Sequence, residues 1–550
     1  MNARNAEEAA MERSRVQQMW LAIVTAIFIV AVAAVLAEAK TLNVANNGID
    51  SPTCGDKNNP CRSLSKVIAN ASPGDKIIVG PGLYGDLNHN GTFEPLLGEE
   101  NANMFISYMI KIDKQLSIES RDGAGVTVLD AGGINVAVVE IAASGVVFGK
   151  NKKGFTLTHS GAGVGLSIGL GTSGVRVEGN LATANKYVGF FISGNGHQIV
   201  GNTANANDRD GFVLLAGNGH QLSGNTANAN GTNGFNIVGS GHVLSGNSAV
   251  SNHASGFHSE GSELQLNGNL AIANDESGFF IGVGRHHLNG NVASANGLHG
   301  FVVDASGQVF TGNLVQGNHF HGFLIASGTG QVLTGNSILG NGDFGIYLVA
   351  GTSATVTKNN IFGNNLHPNG GFTNCGLINQ SGGAINAINN FWGVVTGPSP
   401  TEPADDVCND GAGSSTTFAP VSTKEFKVKT VSPLEEPGLI APADPGQSEI
   451  PQAPSLTPVQ FLRELQTKEG LLFRALGDVS ALQLEIVDLS GRRVYDSSFV
   501  KGQVMTWTRV NSQNKPIASG VYLYRLTARD RDGREIHSEL RKLVIGRFFE

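Results

Sequence analysis

A Gly-Asn pair recurs through the middle of the chain, its asparagines standing at Asn180, Asn202, Asn225, Asn247, Asn269, Asn291, Asn313 and Asn336, always 22 or 23 residues apart. A second asparagine follows five places on, from Asn185 and Asn207 to Asn318 and Asn341. A Gly and a large apolar residue come next: Phe190, Phe212, Phe235, Phe257, Phe279, Phe301, Phe323 and Ile346. A period this short gives no unit a core of its own, so each must be covered by the units before and after it. Helical repeats need longer units rich in strong helix formers. Here clusters of Gly, Asn, Ser and Thr separate apolar runs of three to five residues, the pattern of short strands joined by tight turns. Within Gly224 to Ser245 the alternation places Phe235, Ile237, Leu244, Ala227 and Ala229 inside the coil. Coils stacked about 4.8 Å apart would lay Phe on Phe and let asparagine amides bond up a ladder.

Composition agrees. The 74 Gly of 550 residues have no three-residue period, which excludes collagen and supports regular tight turns. A formal net charge of -8, with 37 Lys and Arg scattered along the chain, argues against a phosphate-backbone partner, so no nucleic acid is expected. Residues Met19 to Ala37 form an apolar run after Arg13 and Arg15, closed by Ala37-Glu38-Ala39. This reads as a signal peptide, residues 1–39, with an uncleaved N-terminal anchor as the alternative and Met1 or Met11 as the start. That anchor, or attachment at the surface, is the one membrane association expected. Cys54 with Cys61 and Cys375 with Cys408 fall as two local pairs, and two disulfides fit an oxidising, exported compartment. Local pairing is preferred because a long regular region separates the pairs. A zinc site is the weaker reading, since there is no Cys-x-x-Cys.

The repeats resemble those of right-handed parallel β-helix proteins, the pectin-lyase-like superfamily that includes NosD-type periplasmic proteins. The segment NVANNGIDSPTCG followed by NPCRSLSKVIANASPGDKIIVGPGLYGD, within residues 43 to 84, is similar to the start of many such proteins. The resemblance implies a short helix, Leu64 to Ala71, capping the first coil, and a β-helix over residues 40–400 that closes at Asn389-Asn390-Phe391-Trp392-Gly393. Residues 401–455 read as a Pro-rich linker carrying Pro420, Pro433, Pro437, Pro442, Pro445, Pro451 and Pro454. Residues 456–550 show six or seven alternating strands, as in a small Ig-like β-sandwich. The runs IVDLSGRRVYDS and NKPIASGVYLYRLTARDRDGREIHSELRKLVI resemble the FlgD-like Ig module and C-terminal sorting modules of secreted bacterial proteins, which implies secretion or surface attachment. The expected location is secreted or at the cell surface.

Enzymes on such folds set carboxylates and basic groups along an outward groove, because cleaving a sugar chain needs two groups flanking one bond. The outward positions after each Gly-Phe step are Phe191, Val213, Asn236, His258, Phe280, Val302 and Leu324, mostly apolar or neutral. Glu260 and Asp304 stand two coils apart, about 9.6 Å by strand spacing. Gly-Asp-Asp strings and the Arg-x-Pro-x-x-Arg run, hallmarks of pectinases, do not occur in the coils. His197, His220, His242 and His286 share one column, which reads as a turn ladder with metal binding as the alternative, since Leu264 and Gln308 stand there too. His253, His258, His299, His319 and His321, with Asp275, Glu276 and Asp304, make the candidate binding patch. The segment Asp86, Asn88, Asn90, Gly91 with Glu94 has the oxygen spacing of a calcium loop but no acid at the twelfth place, Leu97, so a polar turn is preferred and calcium is the alternative.

Two functions follow. The preferred one is a non-catalytic β-helix presenting a long binding surface, to polysaccharide or cell-envelope components. The other is a polysaccharide lyase, hydrolase or epimerase using His258, Glu260, Asp304 and His321, which requires those four side chains to meet within about 10 Å.

Overall fold

The computed structural model describes residues 39–427 except 102–106, 365–373 and 402–403, and residues 460–545 with several short breaks. The apolar run Met19 to Ala37 and most of the Pro-rich linker lie outside the described residues. Among the described residues no helix is long and apolar enough to cross a membrane. The chain divides into two compact units, residues 1–245 with 260–264, and residues 246–259 with 265–550.

The first unit is a stack of coils, each contributing one strand of two to five residues to each of three parallel sheets. Its entrance is covered by the helix Leu64–Asn70. Ser63 caps that helix, its hydroxyl accepting the Lys66 N–H at 3.2 Å. The buried Glu100 carboxylate accepts the Leu64 and Ser65 N–H groups at 2.9 and 2.8 Å, so the helix start is satisfied although it is sealed from water. In the regular coils the pairing is in register: Phe190 beside Phe212 and Phe212 beside Phe235, Ala182 beside Ala204 and Ala227, Ile199 beside Leu222 and Leu244. All of these are buried. The Phe rings stack at 4.8 Å between centroids, nearly parallel. One inward expectation is corrected: Ala229 is half-buried at a corner with φ of 52°, a left-handed position repeated at Ala184 and Ala206. The chain turns there, which breaks the alternation after Ala227.

Both asparagine columns are hydrogen-bonded ladders. Asn180 Nδ2 donates to Asn202 Oδ1 and Asn202 Nδ2 to Asn225 Oδ1, each at 3.1 Å; Asn185 Nδ2 donates to Asn207 and Asn207 Nδ2 to Asn230, each at 2.9 Å. The second amide hydrogen goes to a backbone carbonyl one coil back, as from Asn202 to Val177 at 2.9 Å. Each buried turn thereby satisfies its own backbone.

The second unit is likewise built of parallel strands in three sheets, with Phe257 on Phe279, Phe279 on Phe301 and Phe301 on Phe323 at 4.6 to 4.8 Å. Parallel pairing continues past residue 400, since Asp406–Asn409 pairs with Cys375–Asn379 and Ser415–Thr417 with Ala384–Asn386. Both predicted disulfides form, Cys54–Cys61 and Cys375–Cys408. Toward the C-terminus every described pairing is antiparallel, in two small sheets. Phe473, Leu482, Leu484, Trp507, Tyr524 and Leu526 join in one buried cluster.

Candidate functional site

The column of His197, His220 and His242 is structural. The Val175 N–H donates to His197 Nδ1 at 3.1 Å, His197 N–H to His220 Nδ1 at 3.2 Å, and His220 N–H to His242 Nδ1 at 3.1 Å. A ring nitrogen that accepts carries no proton, so the proton sits on Nε2. That nitrogen meets a carbonyl: Ser193 at 2.7 Å for His197 and Val238 at 3.0 Å for His242. Burial lowers the pKa of His197, His242 and His286; at His220 burial, with His242 and His197 adding to it, brings the value to about 3. Further on, glutamine takes over the accepting role: His286 N–H donates to Gln308 Oε1 at 2.8 Å, and Gln308 N–H to Gln331 Oε1 at 2.9 Å. In His197 and His242 both ring nitrogens are engaged, so neither offers a lone pair to a metal ion.

The second unit carries an outward face of different character. Register runs His258, Phe280, Val302, Leu324, Tyr347 across successive strands, all half-buried, while the Phe column beside them is sealed inside. His258 and Phe280 stack at 4.6 Å with 4° between planes. On the turn before each strand His299 stacks on His321 at 4.9 Å and His321 on Phe344 at 5.3 Å. Tyr347 joins the two columns, edge-on to His321 at 5.1 Å and to Phe344 at 5.8 Å. Burial brings His299 to about 4; burial, with His299 adding to it, brings His321 to about 3. His319 meets Phe320 edge-on at 5.0 Å.

The acids lie around this face. His253 Nδ1 is 3.3 Å from Asp275 Oδ2, both exposed; Glu276 accepts from the Ser255 hydroxyl at 3.4 Å; Asp304 accepts from the Ser327 hydroxyl; Asp343 Oδ2 is 3.9 Å from His321 Nδ1. The register spreads His258, Asp304 and His321 over four rungs. Asp304 ends a strand two rungs from His258, and His321 precedes the strand three rungs away, about 14 Å at strand spacing. Glu260 belongs to the first unit, where its N–H donates to the Ile237 carbonyl at 2.9 Å. Sequence reasoning passed over Phe320, Phe344 and Tyr347. The column from His299 through His321 leads to Phe344, whereas Phe320 and Tyr347 stand below Leu298 and Leu324, so the rung before each carries no aromatic residue to mark the column.

The candidate calcium loop, Asp86 to Glu94, folds as a polar turn. Asn88 and Asn90 each donate Nδ2 to Glu94 Oε2 at 2.9 Å, while their Oδ1 atoms accept the Asn90 and Thr92 N–H groups at 2.8 and 2.9 Å. The amide oxygens face backbone rather than a shared centre. Asp86 Oδ2 accepts the Gly91 N–H at 2.9 Å. Among the described residues, the tightest grouping of three metal-binding side chains is Asp50, Cys54 and Cys61, and both sulfurs there are in a disulfide.

Residues 110–278 and 265–391, just over half of the chain together, match the family described as periplasmic copper-binding protein (NosD). The chain belongs to the NosD family. No curated protein matches it. Among solved structures, the NosD-family chain is similar to the periplasmic alginate epimerase AlgG, at 12% identity over 66% of this chain and 82% of that one, with a TM-score of 0.31. It is also similar to pectate lyase Pel9A, at 16% identity over 70% and 79%, TM-score 0.28. The catalytic unit of a GH87 α-1,3-glucanase from Streptomyces thermodiastaticus strain HF3-3 is similar at 13% identity over 70% of each chain, TM-score 0.43. The family is periplasmic, and two disulfides fit an oxidising, exported compartment.

Proposed function

We propose that this NosD-family β-helix is an exported, non-catalytic binding protein whose aromatic face, from His258 to Tyr347, holds a polysaccharide. The observation that carries this reading is the pair of adjoining ring columns, His258 on Phe280 and His299 on His321 on Phe344, tied together by Tyr347. Stacked rings cover one another's faces and turn their edges outward, so the half-buried Phe280 and Tyr347 offer an apolar strip to the C–H side of a sugar, and rings already held by stacking lose little freedom on binding. Asp275, Glu276 and Asp304 at the margin supply acceptors for hydroxyl groups. Binding is favoured over cleavage because an acid and a base must flank one bond, and His258, Asp304 and His321 lie on different rungs.

The test is affinity electrophoresis and calorimetry of the full chain against uronate and neutral linear polysaccharides, with assay of product release. We expect retention without product, and a fall in affinity of about tenfold in Phe280→Ala, in line with the loss of 1 to 1.5 kcal/mol of ring contact. Release of sugar products, or binding that Phe280→Ala and Tyr347→Ala both leave unchanged, would overturn the reading. In the same proposal the C-terminal antiparallel module is an Ig-like, FlgD-like domain for secretion or surface attachment. Deleting residues 456–550 should then shift the protein from the cell-surface fraction to the soluble exported fraction; unchanged fractionation would remove that role.

The family description names copper. The His197 and His242 rings, with both nitrogens engaged, do not fit such an ion.

A further inference from the structure

The polar turn of residues 86–94 brings His89 to the outward face of the coils, over Asp130. His159 Nδ1 lies 2.9 Å from Asp130 Oδ2 and 3.0 Å from Oδ1, and His89 Nε2 lies 3.8 Å from the same Oδ2. The two imidazoles approach edge-on, 6.3 Å between centroids. Asp130 is 4% exposed, whereas His89 and His159 have about half of their side chains in solvent. A second carboxylate stands alongside. Asp86 is fully buried, its N–H donates to the Asp130 carbonyl at 3.1 Å, and its Oδ1 is sealed from solvent without a hydrogen-bond partner. Both carboxylates close on Gly132: its N–H donates to Asp130 Oδ1 at 2.8 Å, and a Cβ there would stand 2.4 Å from Asp86 Oδ2.

Buried carboxylates are normally paired or bound to a cation, and an orphaned carboxylate oxygen beside a second acid marks uncompensated negative charge. Two imidazole nitrogens converging on one carboxylate oxygen supply the ligand types that suit zinc and copper, whereas calcium takes oxygen ligands. We propose that His89, Asp130 and His159, with Asp86 adding negative charge behind them, bind one divalent transition-metal ion. Closing the shell requires His89 Nε2 to swing inward from its present 3.8 Å, which its exposed loop position permits. Because His89 and His159 are half in solvent, water or a ligand atom of another molecule could complete the shell of such an ion.

The test uses the full chain stripped with chelator, titrated with Zn2+, Cu2+ and Ca2+ by calorimetry, with metal content measured after gel filtration. We expect one equivalent of Zn2+ or Cu2+, no competition by equimolar Ca2+, and a copper EPR spectrum showing two imidazole nitrogens. His159→Ala is well placed as a variant, because Ala184 and Ala206 hold the same left-handed corner in the next coils. Asp130→Asn is too, because Asn205 occupies that outward column. Each variant, and His89→Ala, should weaken binding by at least about tenfold and remove its own nitrogen signature where it is a histidine. His287→Ala, an exposed histidine elsewhere, should leave binding unchanged. Full-affinity binding in His159→Ala and Asp130→Asn, each checked as folded by its melting curve, would overturn the site. So would the absence of stoichiometric binding, or preferential Ca2+ binding abolished by Glu94→Gln.

Discussion

A histidine whose Nδ1 accepts a backbone N–H loses that bond when it is protonated, and in the His197–His220–His242 column each such loss occurs inside the stack. His220 has a folded-state pKa of about 3 against an ordinary 6.5, because burial and its two stacked neighbours disfavour the cation. The unfolded chain therefore takes up these protons first as pH falls. Stability is fully present above about pH 6.5 and declines from there toward pH 4, by up to about 1.4 kcal/mol per pH unit for each such histidine. Chemical denaturation at pH 7, 6, 5 and 4 should show this slope. His220→Gln should flatten it while the protein stays folded, because Gln308 and Gln331 already do the same accepting work without titrating. A variant with an undiminished slope would mean that the acid sensitivity arises elsewhere.

Along a whole column the requirement passes from one residue to the next. Asn291 Nδ2 donates to Leu266 O at 2.8 Å and to Asn313 Oδ1 at 3.0 Å, while its Oδ1 accepts from Asn269 N and Nδ2. Asparagine is needed there because the position must donate and accept at once. An aspartate would set acceptor against acceptor twice, at about 1 to 3 kcal/mol each. The second column ends on an acid: Asn364 Nδ2 donates to Asp405 Oδ2 at 2.7 Å, and Asp405 closes the ladder by accepting. Asn291→Asp should thus cost about 3 kcal/mol or more in guanidinium unfolding, and Asp405→Asn less than about 1. Similar costs for both would show that the polarity of the ladder does not matter. These columns were legible in the sequence because a strict period exposes every repeated constraint. The terminal rungs were less so. From Asn359 to Asn390 the spacing stretches to 31 residues, and the strands Asp406–Asn409 and Ser415–Thr417 carry none of the repeated residues that identify a coil.

For the molecule as a whole, the interior was readable and the surface largely was not. Phe212 and Asn202 are forced by packing at every rung, whereas His89, Asp130 and His159 meet because an irregular turn folds back over coils that carry no repeat. Spacing along the chain holds no trace of that meeting. The cysteines are a middle case: their local pairing could be argued from the rigid coils between them, and the structure joins Cys54 to Cys61 and Cys375 to Cys408. The two bridges should differ in weight. Chain-entropy arguments make a cross-link more stabilising as the loop it closes lengthens, and the separations are 7 and 33 residues. The short loop is then worth about 2 kcal/mol and the long one about 4. The long one also ties Cys375–Asn379 to its partner strand Asp406–Asn409, where Phe344 and Ile378 pack against the bridge. Replacing Cys375 and Cys408 together with alanine should therefore lower the unfolding midpoint under oxidising conditions clearly more than replacing Cys54 and Cys61. In a reducing buffer the wild type should fall to the level of a chain lacking both bridges. An equal or reversed ranking would mean that the short N-terminal bridge, beside the capping helix Leu64–Asn70, guards the coil entrance against fraying. Fraying, and not loop entropy, would then govern how this chain survives in an exported compartment.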